Sequence, residues 1–162
     1  IVYPPLDTQK GTPLLSQNRQ FQYFKEPTYI YPVVPATSAT LLKKAGYDVI
    51  WLDGIAEGIS YRKFLEIIKR EKPDVIALET KTPVVKKHWE IIDELKALYN
   101  PLTILFGDHV TALPEESFHN SKVDFVITGG DYDFLLLNLL NSIKLLNPEY
   151  SIPNKIYREI ST

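Results

Sequence analysis

Short apolar runs alternate with amphipathic stretches along this chain, and the alternation predicts its fold. Residues 1–3 (IVY) read as the tail of a first strand, stopped by Pro4-Pro5 because proline cannot donate to a strand ladder. Residues 48–52 (DVIWL), 75–78 (VIAL), 102–106 (LTILF) and 123–127 (VDFVI) read as four further strands. They are largely continuous apolar runs, as expected for a sheet covered on both faces.

The stretches between the strands carry helical spacing. A helix is predicted over residues 35–45, with Ala36, Ala39, Leu42 and Ala45 on one narrow face and Gly46 where a helix C-terminal glycine belongs. Ser60 is a natural N-cap for a helix through Glu71 with Tyr61, Phe64, Ile67 and Ile68 facing inward. Pro73-Asp74 breaks that helix, and residues 84–99 form the next, with Val85, Trp89, Ile92 and Leu95 at helical spacing. Pro114-Glu115-Glu116 reads as a short helical turn and residues 133–146 as the last helix. Residues 6–34 are rich in proline and aromatics with no clear period, and loops of that length are usually functional or disordered.

Five strands separated by helices imply parallel βαβ units with right-handed crossovers. The expectation is a flavodoxin-like (Rossmann-like) α/β three-layer sandwich with a five-stranded parallel sheet in the order 2-1-3-4-5. One domain is expected over residues 1–146, with residues 6–34 as a long loop insertion and residues 147–162 as a linker.

Composition narrows the function. A net charge of −2 gives no electrostatic reason to expect nucleic acid. No apolar run reaches the roughly 18 residues of a membrane span, and the amino end lacks the pattern of a signal peptide, so the expected location is cytoplasmic. With no cysteine, the chain forms no disulfide, thiolate zinc site, cysteine nucleophile or cysteine-held iron–sulfur cluster of its own. It begins on Ile and contains no Met, so it reads as a fragment or trimmed product.

Ligands of open α/β sheets bind beyond the carboxyl ends of the strands, where the strand order reverses. That rule selects residues 4–11, 53–54, 79–82, 107–111 and 128–131. Gly107, Gly129 and Gly130 let backbone approach a ligand or simply make turns; Thr80, Thr82 and Thr111 offer hydroxyls, though Thr80 and Thr82 could instead cap the helix that begins near Val84. Of the histidines, only His109 falls at a strand end; His88, beside Lys86 and Lys87, and His119, in a polar stretch, read as solvated. The dinucleotide G-x-G-x-x-G and the phosphate-binding G-x-x-x-x-G-K-[ST] are both absent. A phospho-acceptor domain should carry an acidic pair after the first strand, where Tyr-Pro-Pro stands instead; Thr8-Gln9-Lys10-Gly11-Thr12 is a displaced substitute for a flavin phosphate loop. No catalytic residue and no direct metal ligand is assigned.

One resemblance covers nearly the whole domain. Tyr3-Pro4-Pro5-Leu6, Tyr31-Pro32, Lys43-Lys44-Ala45-Gly46-Tyr47-Asp48-Val49 and Lys72-Pro73-Asp74-Val75-Ile76-Ala77 resemble the N-terminal cobalamin-binding domains of cobalamin-dependent radical S-adenosylmethionine enzymes. The most specific part is Gly107-Asp108-His109-Val110-Thr111-Ala112-Leu113-Pro114-Glu115-Glu116, similar to that family's Gly-Gly-Pro-His-Val-Thr-Ala-Leu-Pro-Glu-Glu. Asp108 here takes the place of Pro, and Gly130-Asp131-Tyr132-Asp133 replaces most of an acidic turn. The Asp-x-His-x-x-Gly motif of the mutases and methyltransferases, whose histidine is the lower cobalt ligand, is absent.

The resemblance implies a module that holds cobalamin, and metal only through its cobalt, with the cofactor's own base displaced and no histidine beneath it. Pro5, Leu6, Thr80, Thr82, Gly107, Asp108, His109, Thr111, Thr128, Gly129 and Gly130 would line the site, with Thr80, Thr82, Asp108 and Thr111 meeting the corrin's peripheral amides. The 4Fe-4S cluster and S-adenosylmethionine would belong to a C-terminal radical domain of the same parent enzyme, which performs methyl transfer or ring formation. Alternatives are a degenerate scaffold or docking domain without cofactor, and another α/β module binding a flavin, nucleotide or small ligand.

Overall fold

The computed structural model describes residues 1–6, 9, 11–15, 23–26 and 29–145, and the backbone of 155–158. Its elements in chain order are β1 (Val2–Tyr3), β2 (Thr12–Pro13), β3 (Tyr23–Phe24), α1 (Val33–Lys44), β4 (Leu52–Asp53), α2 (Tyr61–Glu71) and β5 (Val75–Glu79). There follow α3 (Val85–Tyr99), β6 (Leu102–Phe106), α4 (Asp108–Ala112), α5 (Pro114–Asn120), β7 (Phe125–Thr128), α6 (Tyr132–Leu145) and β8 (Lys155–Arg158).

The main sheet runs β4-β1-β5-β6-β7-β8, all parallel, and β2 and β3 form a small antiparallel pair apart from it. Its first five strands keep the expected order 2-1-3-4-5, so the α/β flavodoxin-like class holds. Alternate residues of the strands face opposite layers. Ile76, Leu78, Leu105 and Val126 join Phe64 and Ile68 of α2 and Ile92 and Leu95 of α3 in one core. Ala77, Ile104, Phe106, Phe125 and Ile127 join Leu42 of α1 and Leu136 and Leu139 of α6 in the other.

Several boundaries differ from the sequence expectation. The sheet has a sixth strand, because Lys155–Arg158 pairs with β7 in register; these four residues sit in the sheet rather than in a linker, while 147–154 and 159–162 lie outside the described residues, as does much of the loop 6–34. The second strand shrinks to Leu52–Asp53, since β1 offers it only Val2 and Tyr3 as partners. Residues 108–112, directly after the fourth strand, form the short helix α4. The face of α1 is buried through Pro35, Ser38 and Leu42 while Ala45 is exposed, so the alanine stripe is not the packed one. Ser60 does cap α2, its Oγ accepting from the Lys63 backbone N–H at 3.2 Å.

Candidate cofactor site at the carboxyl ends of the strands

The chain leaves β1 for the edge strand β4 and then crosses back to β5, so strand order reverses between β1 and β5. A row of polar side chains begins at that point. The Tyr3 hydroxyl, at the end of β1, donates to Glu79 at the end of β5. The Lys81 ammonium lies 3.9 Å from the other Glu79 oxygen and donates at 3.0 Å to Asp108, just past β6. The Lys81 side chain is only 6% exposed, whereas that of Asp108 is 63% exposed. Burial raises the Glu79 carboxyl above its ordinary range, against the opposing pull of the Tyr3 hydrogen bond and of Lys81. Burial and the neighbouring Glu79 also push the Tyr3 phenol upward.

Beside this row, backbone geometry fixes the strand ends. Gly107 has φ +121°, and a Cβ there would meet the Thr80 carbonyl oxygen at 2.3 Å. The glycine therefore lets the ends of β5 and β6 touch, and the Thr80 N–H donates to the Phe106 carbonyl at 2.8 Å. Thr111 ties α4 to the end of β7: its Oγ1 donates to the Gly107 carbonyl at 2.8 Å and accepts from the Gly129 N–H at 3.3 Å. Tyr132 closes the group, its hydroxyl 3.3 Å from Thr111 Oγ1 and its ring 5.4 Å from that of Phe106. Burial raises the Tyr132 phenol.

The two inner histidines behave differently from each other and from the sequence reading. His88 is fully buried, not solvated; its Nδ1 meets Thr80 Oγ1 at 2.8 Å. Its position was legible after all, since 85, 88, 89, 92 and 95 share one helical face, and the flanking lysines masked it. Burial without a second partner for Nε2 lowers its pKa to about 3. His109 is also enclosed: Nδ1 lies 3.2 Å from Thr82 Oγ1, Nε2 lies 3.3 Å from Glu116 without hydrogen-bond alignment, and Trp89 packs against its ring. His119 is exposed, as expected.

The structure thus gathers most of the expected residues at one edge but gives them unequal roles. Thr82, Asp108, Thr111 and Gly130 are exposed there, and a Cβ on Gly130 would meet nothing within 4 Å. Gly129 is half-buried and Thr128 buried at the end of β7. Thr80 turns its hydroxyl inward to His88 and Leu6 belongs to the core. Pro5 packs on Gly54, where a Cβ would come within 2.8 Å of its ring. Sequence reasoning passed over Tyr3, Lys81 and Tyr132, because a lysine or tyrosine after a strand reads as a surface residue unless its partner across the sheet is known.

Size alone would select another place. The larger cavity, about 410 Å³, opens at the amino ends of the strands between Ile1, Leu42, Val75 and Leu136. A smaller one, about 290 Å³, lies at the carboxyl side between Tyr3, Leu15, Tyr31 and Trp51. The first is lined mostly by aliphatic side chains and lies away from the polar row. The strand-end rule therefore favours the carboxyl edge.

Fold and rim together define an open α/β domain with polar side chains gathered along the carboxyl ends of its strands. The chain belongs to the B12 binding domain family, whose model matches residues 29–135. It is 28% identical over 108 residues to the anaerobic magnesium-protoporphyrin IX monomethyl ester cyclase of Cereibacter sphaeroides, a match spanning 65% of this chain and 18% of that protein. It is also similar to the crystal structure of the N-terminal domain of a hypothetical protein from Thermotoga maritima, at 22% identity and a TM-score of 0.49, covering 86% of this chain and all of that one.

The rim's hydrogen-bonding groups suit a corrin, the ring of cobalamin. Hydroxyl and carboxylate oxygens of Thr82, Thr111 and Asp108 match a ring edged with primary amides. Among the described residues no three His, Asp or Glu side chains are grouped to hold a metal ion, and no helix is long and apolar enough to cross a membrane.

Proposed function

We propose that this chain holds cobalamin across the carboxyl ends of β1, β5, β6 and β7 as the cofactor module of a larger cytoplasmic enzyme. Cobalamin, when bound, supplies a cobalt centre that can carry a methyl group or pass electrons. Thr82, Asp108 and Thr111 meet its peripheral amides, and Gly129 and Gly130 leave room for its nucleotide tail. His109 braces α4 against Thr82 and Trp89 and would not reach the cobalt; the resemblance would have the cofactor held with its own base displaced.

The observation that carries this reading is the enclosed His109 ring within a strand-end rim of a B12-family domain. The resemblance to radical enzymes and the cyclase relative support a partner domain with a 4Fe-4S cluster and S-adenosylmethionine, performing ring formation or methyl transfer. Titration of the chain with hydroxocobalamin, followed by absorbance and equilibrium dialysis, tests the proposal. Saturable binding with a base-off spectrum is expected. No retention at micromolar concentration, or a spectrum of histidine-ligated cobalt, overturns it; the former favours a scaffold role, for which the altered residues Asp108 and 130–133 are the observation.

A further inference from the structure

The Lys81–Asp108 pair sits in the middle of the proposed rim, and its asymmetry has a consequence for which corrin fits there. The argument rests on the cobalamin reading above. Lys81, the one cationic side chain of the row among the described residues, is buried and already engaged by Asp108 and Glu79. It is not available to an incoming anion. Asp108 keeps one carboxylate oxygen on Lys81 while most of its side chain is open to solvent at the start of α4. Among the described residues of the row, two carboxyls stand against one ammonium.

We infer that Asp108 makes this rim selective for corrins whose side arms are amides, and against corrins whose arms are carboxylic acids. An amide arm brings N–H donors that the Asp108 carboxylate accepts, and a carbonyl that the Thr82 hydroxyl can meet. A carboxylate arm brings no donor at neutral pH and sets like charge beside Asp108 and Glu79, with Lys81 already satisfied. Such like-charge juxtaposition is costly and works mainly as discrimination.

The test compares dicyanocobinamide, whose arms are amides, with dicyanocobyrinic acid, whose arms are acids, by absorbance titration of the chain at pH 7.5 and low salt, conditions chosen to keep the arms ionised and unscreened (about 20 mM salt). The amide form is expected to bind at least roughly tenfold more tightly. Asp108→Asn keeps the shape and removes the charge, and should narrow that ratio several-fold; added salt should narrow it in the parent chain but less in the variant. Equal affinities in the parent, or a ratio unchanged by Asp108→Asn, overturn the inference while leaving cobalamin binding intact. Failure of both corrins to bind overturns this inference, whereas the cobalamin reading falls only with the hydroxocobalamin titration, so the two failures are distinguishable.

Discussion

Two lysine–aspartate pairs stand at opposite ends of β6, and they are not the same kind of interaction. At the amino end, Lys96 reaches from the last turn of α3 to Asp124 at 2.8 Å, with the side chains 12% and 15% exposed. Asp124 also accepts from the Thr103 N–H at 2.7 Å and the Thr103 hydroxyl at 2.9 Å, while Lys96 donates to the Pro101 carbonyl. Both charges there are enclosed and fully engaged within the protein. At the carboxyl end, Lys81 is buried but Asp108 faces outward. The same chemistry locks the sheet at one end and leaves an acceptor facing the ligand region at the other.

If that contrast is right, the carboxyl end must owe its rigidity to something other than its ion pair. The contact of Gly107 with the Thr80 carbonyl supplies it. A valine at 107 would combine a positive φ with a clash against backbone that cannot rotate away. Gly107→Val should therefore cost at least about 4 kcal/mol and leave the domain largely unfolded. Urea unfolding followed by circular dichroism would show it, and a loss under about 1 kcal/mol would mean the strand ends are looser than described.

The enclosed pair comes next. Asp124→Ala strands the Lys96 ammonium and the Thr103 N–H together, and should destabilise by about 3 kcal/mol. It should not alter the preference among corrins in the chain that remains folded. An altered preference would break the distinction between the two ends.

His88 gives the comparison a pH signature. Its folded pKa is about 3, below the ordinary 6.5, so the unfolded chain binds the proton more readily. The stability it contributes is complete above about pH 6.5 and is lost as pH falls toward 3, amounting to about 2 kcal/mol by pH 5. Glu79, raised by burial, works in the opposite sense, gaining stability as it takes up a proton. Urea midpoints at pH 7 and pH 5 should therefore fall more steeply in the parent chain than in His88→Phe. Identical slopes would place His88 in contact with water.

The order of the elements was legible because buried parallel strands are continuous apolar runs, and 75–78 and 102–106 needed only that pattern. The sixth strand was not: Lys155, Tyr157 and Arg158 read as polar linker, and their pairing with β7 depends on where the chain returns. The site divided in the same way. Gly107 and His109 stood out by position and by motif. That Thr80 turns inward to His88, and that a lysine at 81 is buried beneath an exposed aspartate, are products of packing between strands far apart in sequence.

The smallest effect is the most informative. Asp108→Ala removes an exposed carboxylate whose partner keeps Glu79 at 3.9 Å. Exposed members of ion pairs contribute little, so the loss in stability should stay below about 1 kcal/mol. Asp108 also sits in the first turn of α4, where a carboxylate interacts favourably with the helix dipole, but a five-residue helix makes that term slight. A near-silent effect on folding, joined to a narrowed preference for amide over acid corrins, would separate Asp108 from Asp124 by role. A loss approaching 3 kcal/mol would instead make both pairs structural, and the outward carboxylate would cease to be a reason for placing the ligand at this end.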